Sequence, residues 1–189
     1  MNIDVEKLAF KFFVSEKIDK NSEYYCGTRD IFQARLDKMI SFLLAKDNLK
    51  EDDIYIISAI TGEIGNNSFD HNIGSWVGEM GIFFAYSFDN NKFKVVLADA
   101  GQGVYSTLKK VKPEIKNDIE ALKVAFNERI SGRASESRGN GLKFVKSNIK
   151  DRGMHLKFIS GKAKVELNKI EKIEEIIETY QGCIAIINL

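Results

Sequence analysis

Little in this sequence cross-links the chain or ties it to a surface. Its two cysteines, Cys26 and Cys183, lie far apart and outside any C-x-x-C pair. That argues against a disulfide framework or a cysteine zinc site, and free thiols suit a reducing cytosol. Pro113 is the lone proline, and no Pro/Gly/Ser-rich linker divides the chain. Neither charge sign is in excess: 28 Lys+Arg face 27 Asp+Glu, a net charge of +1. No global basic field therefore draws the protein onto nucleic acid. No stretch approaches the roughly 20 apolar residues that span a bilayer. The opening MNIDVEKLAF lacks the basic and apolar regions of a signal peptide. There is no internal repeat. The expectation is a soluble, cytoplasmic protein with neither membrane nor nucleic acid as partner.

What is present is enough for a core. A chain of 189 residues with 44% hydrophobic content fits one domain, or one domain with a small extension. Alternation of Leu8, Phe10, Phe12 and Val14 predicts a short strand near the start. Asp30 is placed to cap a helix running to about Asp47, with Ile31, Ala34, Met39, Leu43 and Leu44 inward. A second helix starts at Asp52 or Asp53, with Ile56, Ile57, Ile60 and Ile64 on one face. Gly81–Phe88 and Phe93–Ala98 read as a hairpin around Asp89-Asn90-Asn91. Helices are predicted over Asn117 or Asp118 to about Glu128 and over Gly141–Ile149, with strands at Leu156–Ser160 and Cys183–Leu189. Asn168–Tyr180 reads as a charged helix or excursion with Ile170, Ile173, Ile177 and Tyr180 on one stripe. The mixture places the chain in the α+β class.

Three short segments carry chemistry. The first is Glu63–His71, EIGNNSFDH. Residues four apart share a helix face, so Glu63, Asn67 and His71 align, with Asp70 beside them. An amide oxygen near a carboxylate suits Mg²⁺, a hard cation that takes few protein ligands. A carboxylate one turn away can take a proton from an attacking hydroxyl or water. The second segment, Asp99–Gly103 (DAGQG), directly follows a strand. Its Asp can accept from an exocyclic amine, and Gly101 and Gly103 let the backbone approach a flat ring. The third, Arg138–Leu142 (RGNGL), opens a helix. Backbone N–H groups at Gly139 and Gly141 can bind phosphate there, and Arg133 and Arg138 can add charge-assisted contacts. Taken singly, the segments also read as a polar helix end, a strand-to-helix turn and a helix N-cap with solvated arginines. The phosphate loop ending in Gly-Lys-Ser/Thr is absent, and the three-glycine dinucleotide fingerprint is incomplete.

Taken together and in this order, the segments resemble the N, G1 and G2 boxes of the GHKL ATPase superfamily: gyrases, Hsp-type chaperones, histidine kinases and mismatch-repair ATPases. The resemblance covers roughly residues 30–189. It implies the Bergerat fold, a two-layer α/β sandwich whose mixed, mostly antiparallel sheet is covered by helices on one face. Residues 1–30 would then be an N-terminal extension and 31–189 an ATP-binding domain with a lid at about 104–138. By the same resemblance Asn67 binds Mg²⁺, Glu63 is the general base and Asp99 reads adenine. Asp70, His71, Gly101, Gly103, Arg138, Gly139, Gly141 and Leu142 line the nucleotide. Three residues depart from the histidine-kinase pattern: Asp70 replaces a basic residue, Lys143 a third glycine, and Cys183 a threonine near adenine. No His-bearing helix pair precedes the domain, which argues against an autophosphorylating histidine kinase. The Glu63/Asn67/His71 spacing is more similar to anti-sigma-factor serine kinases. The implied activity is a regulatory ATPase, or a kinase acting on a protein serine. The alternative is a nucleotide-binding or vestigial module that regulates a partner without turnover. Such proteins work as dimers or with a protein partner.

Overall fold

The computed structural model describes residues 4–14, 19–76, 80–129 and 141–189. The chain is α+β. Among the described residues one sheet has five strands in the order β1-β2-β3-β5-β4, all antiparallel. They are β1 (Tyr25–Cys26), β2 (Ile82–Asp89), β3 (Lys92–Asp99), β4 (His155–Leu167) and β5 (Glu171–Asn188). No parallel pairing is present among them, in contrast to the mixed sheet anticipated from the sequence.

Alternation along each strand sorts side chains onto two faces. Ile82 and Phe84 of β2, Phe93, Val95 and Leu97 of β3, Leu156 and Phe158 of β4, and Ala185 and Ile187 of β5 enter the main core. Five helices face it: α2 (Arg29–Leu44), α3 (Glu51–His71), α4 (Gly103–Lys109), α5 (Asp118–Asn127) and α6 (Gly141–Asp151). Fully buried anchors such as Phe32, Phe93, Phe126 and Ile57 each contribute about 1.5–3 kcal/mol by leaving water. The opposite face, with Phe83, Ala85, Val96, Ala98, Ile159, Ile184 and Ile186, packs against Val5 and Ala9 of α1 (Val5–Val14). Helices therefore lie on both faces, not on one.

That first element corrects the strand predicted from Leu8, Phe10 and Phe12. Val5, Leu8, Ala9 and Phe12, all in the same cluster, are spaced i, i+3, i+4, i+7, the helical period. Glu6 then reaches Lys94 of β3 at 3.3 Å and Lys157 of β4 at 3.5 Å. The α2 cap is Thr28, whose Oγ1 accepts from Ile31 N–H at 3.3 Å; Asp30 sits inside the first turn instead. The inward residues of α2 are Phe32, Leu36, Met39 and Leu43, while Ile31 and Leu44 are exposed. The β2–β3 hairpin turns at Asn90 and Asn91, both with positive φ (48° and 60°), the conformation that matches strand twist in a two-residue turn.

The span 168–180 is not a helix. Most of it belongs to β5, which pairs with β4 from Glu171 onward. Its charges answer charges across the ladder: Lys164 faces Glu174 and Glu166 faces Lys172, with Lys164 Nζ 2.8 Å from Glu174 and 3.1 Å from Glu166. Opposite charges facing one another stabilise a sheet pair. The stripe foreseen for a helix dissolves accordingly, with Ile177 95% and Ile170 75% exposed. Among the described residues no helix is long and apolar enough to cross a membrane.

Candidate functional site

Helix α3 presents two adjacent rows of polar side chains near its C-terminal end. The first row is Glu63 and Asn67. Asn67 Nδ2 donates to Glu63 Oε1 at 3.1 Å, as the four-residue spacing allows. The Glu63 carboxylate lies against the backbone of Gly141, where α6 begins: a Cβ added to Gly141 would fall 1.8 Å from Glu63 Oε1. A negative group there meets the positive end of the α6 dipole. Leu142, the next residue, packs against the main core. Arg138 and Gly139 lie outside the described residues, as does Arg133.

The second row is Ser68 and Asn72, and it reaches the end of β3. Ser68 Oγ donates to Asp99 Oδ2 at 2.7 Å. Asn72 Nδ2 donates to Asp99 Oδ1 at 3.3 Å and to Ser68 O at 2.8 Å. The Gly101 N–H donates to Asp99 Oδ1 at 2.9 Å, and the Cys183 N–H of β5 donates to the same carboxylate. Asp99 is only 2% exposed. Burial pushes its carboxyl above the ordinary range, against the pull of the Ser68, Gly101, Asn72 and Cys183 donors. A carboxylate has about four acceptor positions, so these groups fill its complement.

The loop after β3 is locked into the same network. Asn72 Oδ1 accepts from Gln102 N–H at 2.9 Å, and Gln102 Nε2 donates to the carbonyl of His71. Gly103 turns the chain into α4, where Val104 N–H donates to Ser160 Oγ at 3.0 Å. That hydroxyl in turn donates to Gly182 O at 3.0 Å. Cys183 Sγ donates to Ser160 Oγ at 3.6 Å. Burial, followed by the charge of Asp99, pushes this thiol well above its ordinary range, which favours the protonated form.

The fold thus brings together Glu63, Asn67 and Gly141 on one side, and Asp99, Gly101 and Gly103 on the other. Asp99 bonds to Ser68, the residue next to Asn67, so the end of β3 meets α3 at the same turn that carries Asn67. Asp70 goes elsewhere: its carboxylate pairs with Arg29 at the start of α2. His71 joins the site through its main-chain carbonyl. Ser68, Asn72, Gln102, Ser160 and Gly182 were not singled out in the sequence. Ser68 and Asn72 share the i, i+4 spacing of Glu63 and Asn67 and were open to the same reasoning. Ser160 and Gly182 enter only through strand pairing.

Chemically, the site offers a buried, multiply hydrogen-bonded carboxylate at a strand end, and a carboxylate–carboxamide pair at a helix N-terminus. The first suits an amino-bearing ring. The second suits a divalent cation and charged oxygens, because a hard cation that keeps its waters needs few protein ligands. Among the described residues no group of three or more His, Cys, Asp or Glu converges as a self-contained metal cage. No protein-family model and no curated protein matches the chain.

Proposed function

We propose that the protein binds Mg·ATP between α3, the β3–α4 loop and the start of α6, and acts as a regulatory ATPase or protein kinase of GHKL type on a Bergerat fold. The observation that carries this reading is the placement of buried Asp99 one helix row away from the Glu63–Asn67 pair, itself seated against Gly141. Asp99 would accept from the purine amino group. Gly101 and Gly103 would give the ring room, and the N-terminus of α6 would face the phosphates, assisted by Arg138 and Gly139. Asn67 would hold the Mg²⁺, which when bound neutralises phosphate charge. Glu63, within hydrogen-bonding distance of Asn67, would orient and deprotonate the acceptor hydroxyl or water. Such transfer depends on positioning and charge neutralisation more than on covalent chemistry.

Titration with Mg·ATP followed by thermal unfolding tests the binding claim. Ligand at about 100 times its dissociation constant adds about 2.7 kcal/mol of stability, a shift that calorimetry resolves. Asp99→Asn should abolish it. Glu63→Ala should keep the shift while phosphate release or transfer to a serine-bearing partner disappears. Absence of any shift in the wild type would sink the reading.

A second reading has its own support. The acceptor positions of Asp99 are filled by the protein's own donors, and Lys143 and Cys183 depart from the kinase pattern. A module that holds nucleotide without turnover, and signals by docking a protein partner or a second copy, accommodates both facts. It predicts a Mg·ATP shift with no phosphate release under any partner condition.

A further inference from the structure

The carboxylate that would read a purine is already read by a side chain of this protein. Asn72 is 4% exposed. Its amide nitrogen donates to Asp99 Oδ1 at 3.3 Å and its amide oxygen accepts from Gln102 N–H at 2.9 Å. The orientation of the amide is fixed by its neighbours. Rotated by half a turn, the nitrogen would meet the Gln102 donor, and the oxygen would meet Asp99 and the Ser68 carbonyl, both acceptors. The amide also presses on Gly101: a Cβ there would lie 2.0–2.1 Å from Nδ2, Cγ and Oδ1 of Asn72 together. The glycine that would let a ring lie on the backbone here lets a carboxamide do so.

A carboxamide offers a donor beside an acceptor on one planar edge, as the 6-amino group and N1 of adenine do. We infer that Asn72 is an internal occupant of the purine position, so that the closed arrangement competes with nucleotide and Asn72 must turn out before adenine reaches Asp99. This rests on the nucleotide reading above. The bond to Asp99 is the longest of its three at 3.3 Å, and it is the one a purine amine would replace. Opening also releases Gln102 N–H. The Gln102 side chain bridges the His71 carbonyl and Lys110 Nζ, so occupancy is communicated to both ends of α4. Affinity is then set by the share of molecules in which Asn72 is out. Where that share is about one tenth, apparent affinity falls about tenfold.

The test is calorimetric titration of wild type, Asn72→Ala, Asn72→Ser and Asp99→Asn with Mg·ATP and Mg·GTP. The expected result is about tenfold tighter Mg·ATP binding by the two Asn72 variants, no larger gain for Mg·GTP, and loss of binding in Asp99→Asn. Wild-type binding with Asn72 variants that bind no tighter overturns the inference and leaves the nucleotide reading standing. Tightening of Mg·GTP without tightening of Mg·ATP also overturns it, because the position that Asn72 vacates would then not be that of adenine. No nucleotide binding by any protein overturns both. Should the Asn72 variants fail to fold, the side-chain amide resonances of Asn72 in the wild type decide. They move on saturation with Mg·ATP if the amide leaves Asp99; unmoved resonances in a nucleotide-bound protein refute the displacement.

Discussion

The two polar rows of α3 stand side by side yet are held in different ways. Glu63 and Asn67 bond to each other within one helix, and their outer neighbour is the backbone of Gly141. Ser68 and Asn72 bond outward, to a carboxylate delivered by β3 and to the backbone of the following loop. The first row is a local arrangement with a partly buried carboxylate on a side chain that belongs to α3 alone. The second is a tertiary junction of α3, β3, β5 and α4 in which each polar group is already matched. The difference separates function from architecture. Under the proposed function, the row that would take cation and phosphate is the one less tied to the rest of the fold, whereas the row that would take a base is part of what holds the domain together.

Substitutions at glycines can break that contrast, because each row leans on one. The largest effect is expected at Gly182, behind Asp99. Its φ is +76° and an added Cβ would lie 2.0 Å from the main-chain oxygen of Asp99. Backbone cannot step aside as a side chain can. Gly182→Ala should therefore lower unfolding free energy by about 3 kcal/mol or more, combining left-handed strain with overpacking, as read from the denaturant midpoint. At Gly101 the obstacle is the Asn72 amide. Gly101→Ala should cost about 1–3 kcal/mol by expelling it. The double variant Gly101→Ala/Asn72→Ala should recover part of that loss, a coupling that a double-mutant cycle measures. Simple additivity would mean that the two residues do not press on one another.

The same contrast explains what could be read in advance. Glu63 and Asn67 were legible because i, i+4 spacing is a property of one helix. Asp99 was legible because an apolar run ends at it, and the Asn90-Asn91 turn because its residues tolerate positive φ. Asn72 was hidden although its spacing from Ser68 is equally local: what makes it matter is the arrival of Asp99 and Gln102 from 27 and 30 positions away. Ser160 and Gly182 depend on the β4–β5 register, which was itself obscured. Ile170, Ile173, Ile177 and Tyr180 fit a helical stripe, while the signal for a strand was charge complementarity with Lys164 and Glu166 on a partner that the pattern alone does not name. The first helix was misread for a related reason. Four alternating residues fit either period until Val5 and Ala9 are counted.

On the first row the expected change in stability is small. An alanine at Gly141 would meet only the end of the Glu63 side chain, which is long and half-buried and can turn away. Alanine also has the better helix propensity by about 1 kcal/mol. Gly141→Ala should therefore leave unfolding free energy within about 1 kcal/mol of the wild type, far from the result at Gly182. Under the proposed function it should still depress phosphate release, because Glu63 no longer holds its place beside Asn67. A stability loss as large as that of Gly182→Ala would erase the distinction between the rows.

The last expected effect is a slope with pH, to which Asp99, raised, contributes with a sign opposite to that of the lowered Glu166, Glu171 and Glu174. Burial raises the affinity of its carboxyl for a proton above that in the unfolded chain, with the Ser68, Gly101, Asn72 and Cys183 donors opposing the shift without cancelling it. Between the unfolded and the folded values, the native state binds more proton than the unfolded state. Stability from this group is therefore fully present below the unfolded carboxyl range and declines as pH rises through the folded value. One proton is involved, so the decline cannot exceed about 1.4 kcal/mol per pH unit. Asp99→Asn should lower the whole curve, since an amide nitrogen then faces a donor, and should flatten it over that window. Denaturant unfolding at a series of pH values compares the two slopes. An unchanged slope in the variant would assign the titration to another group.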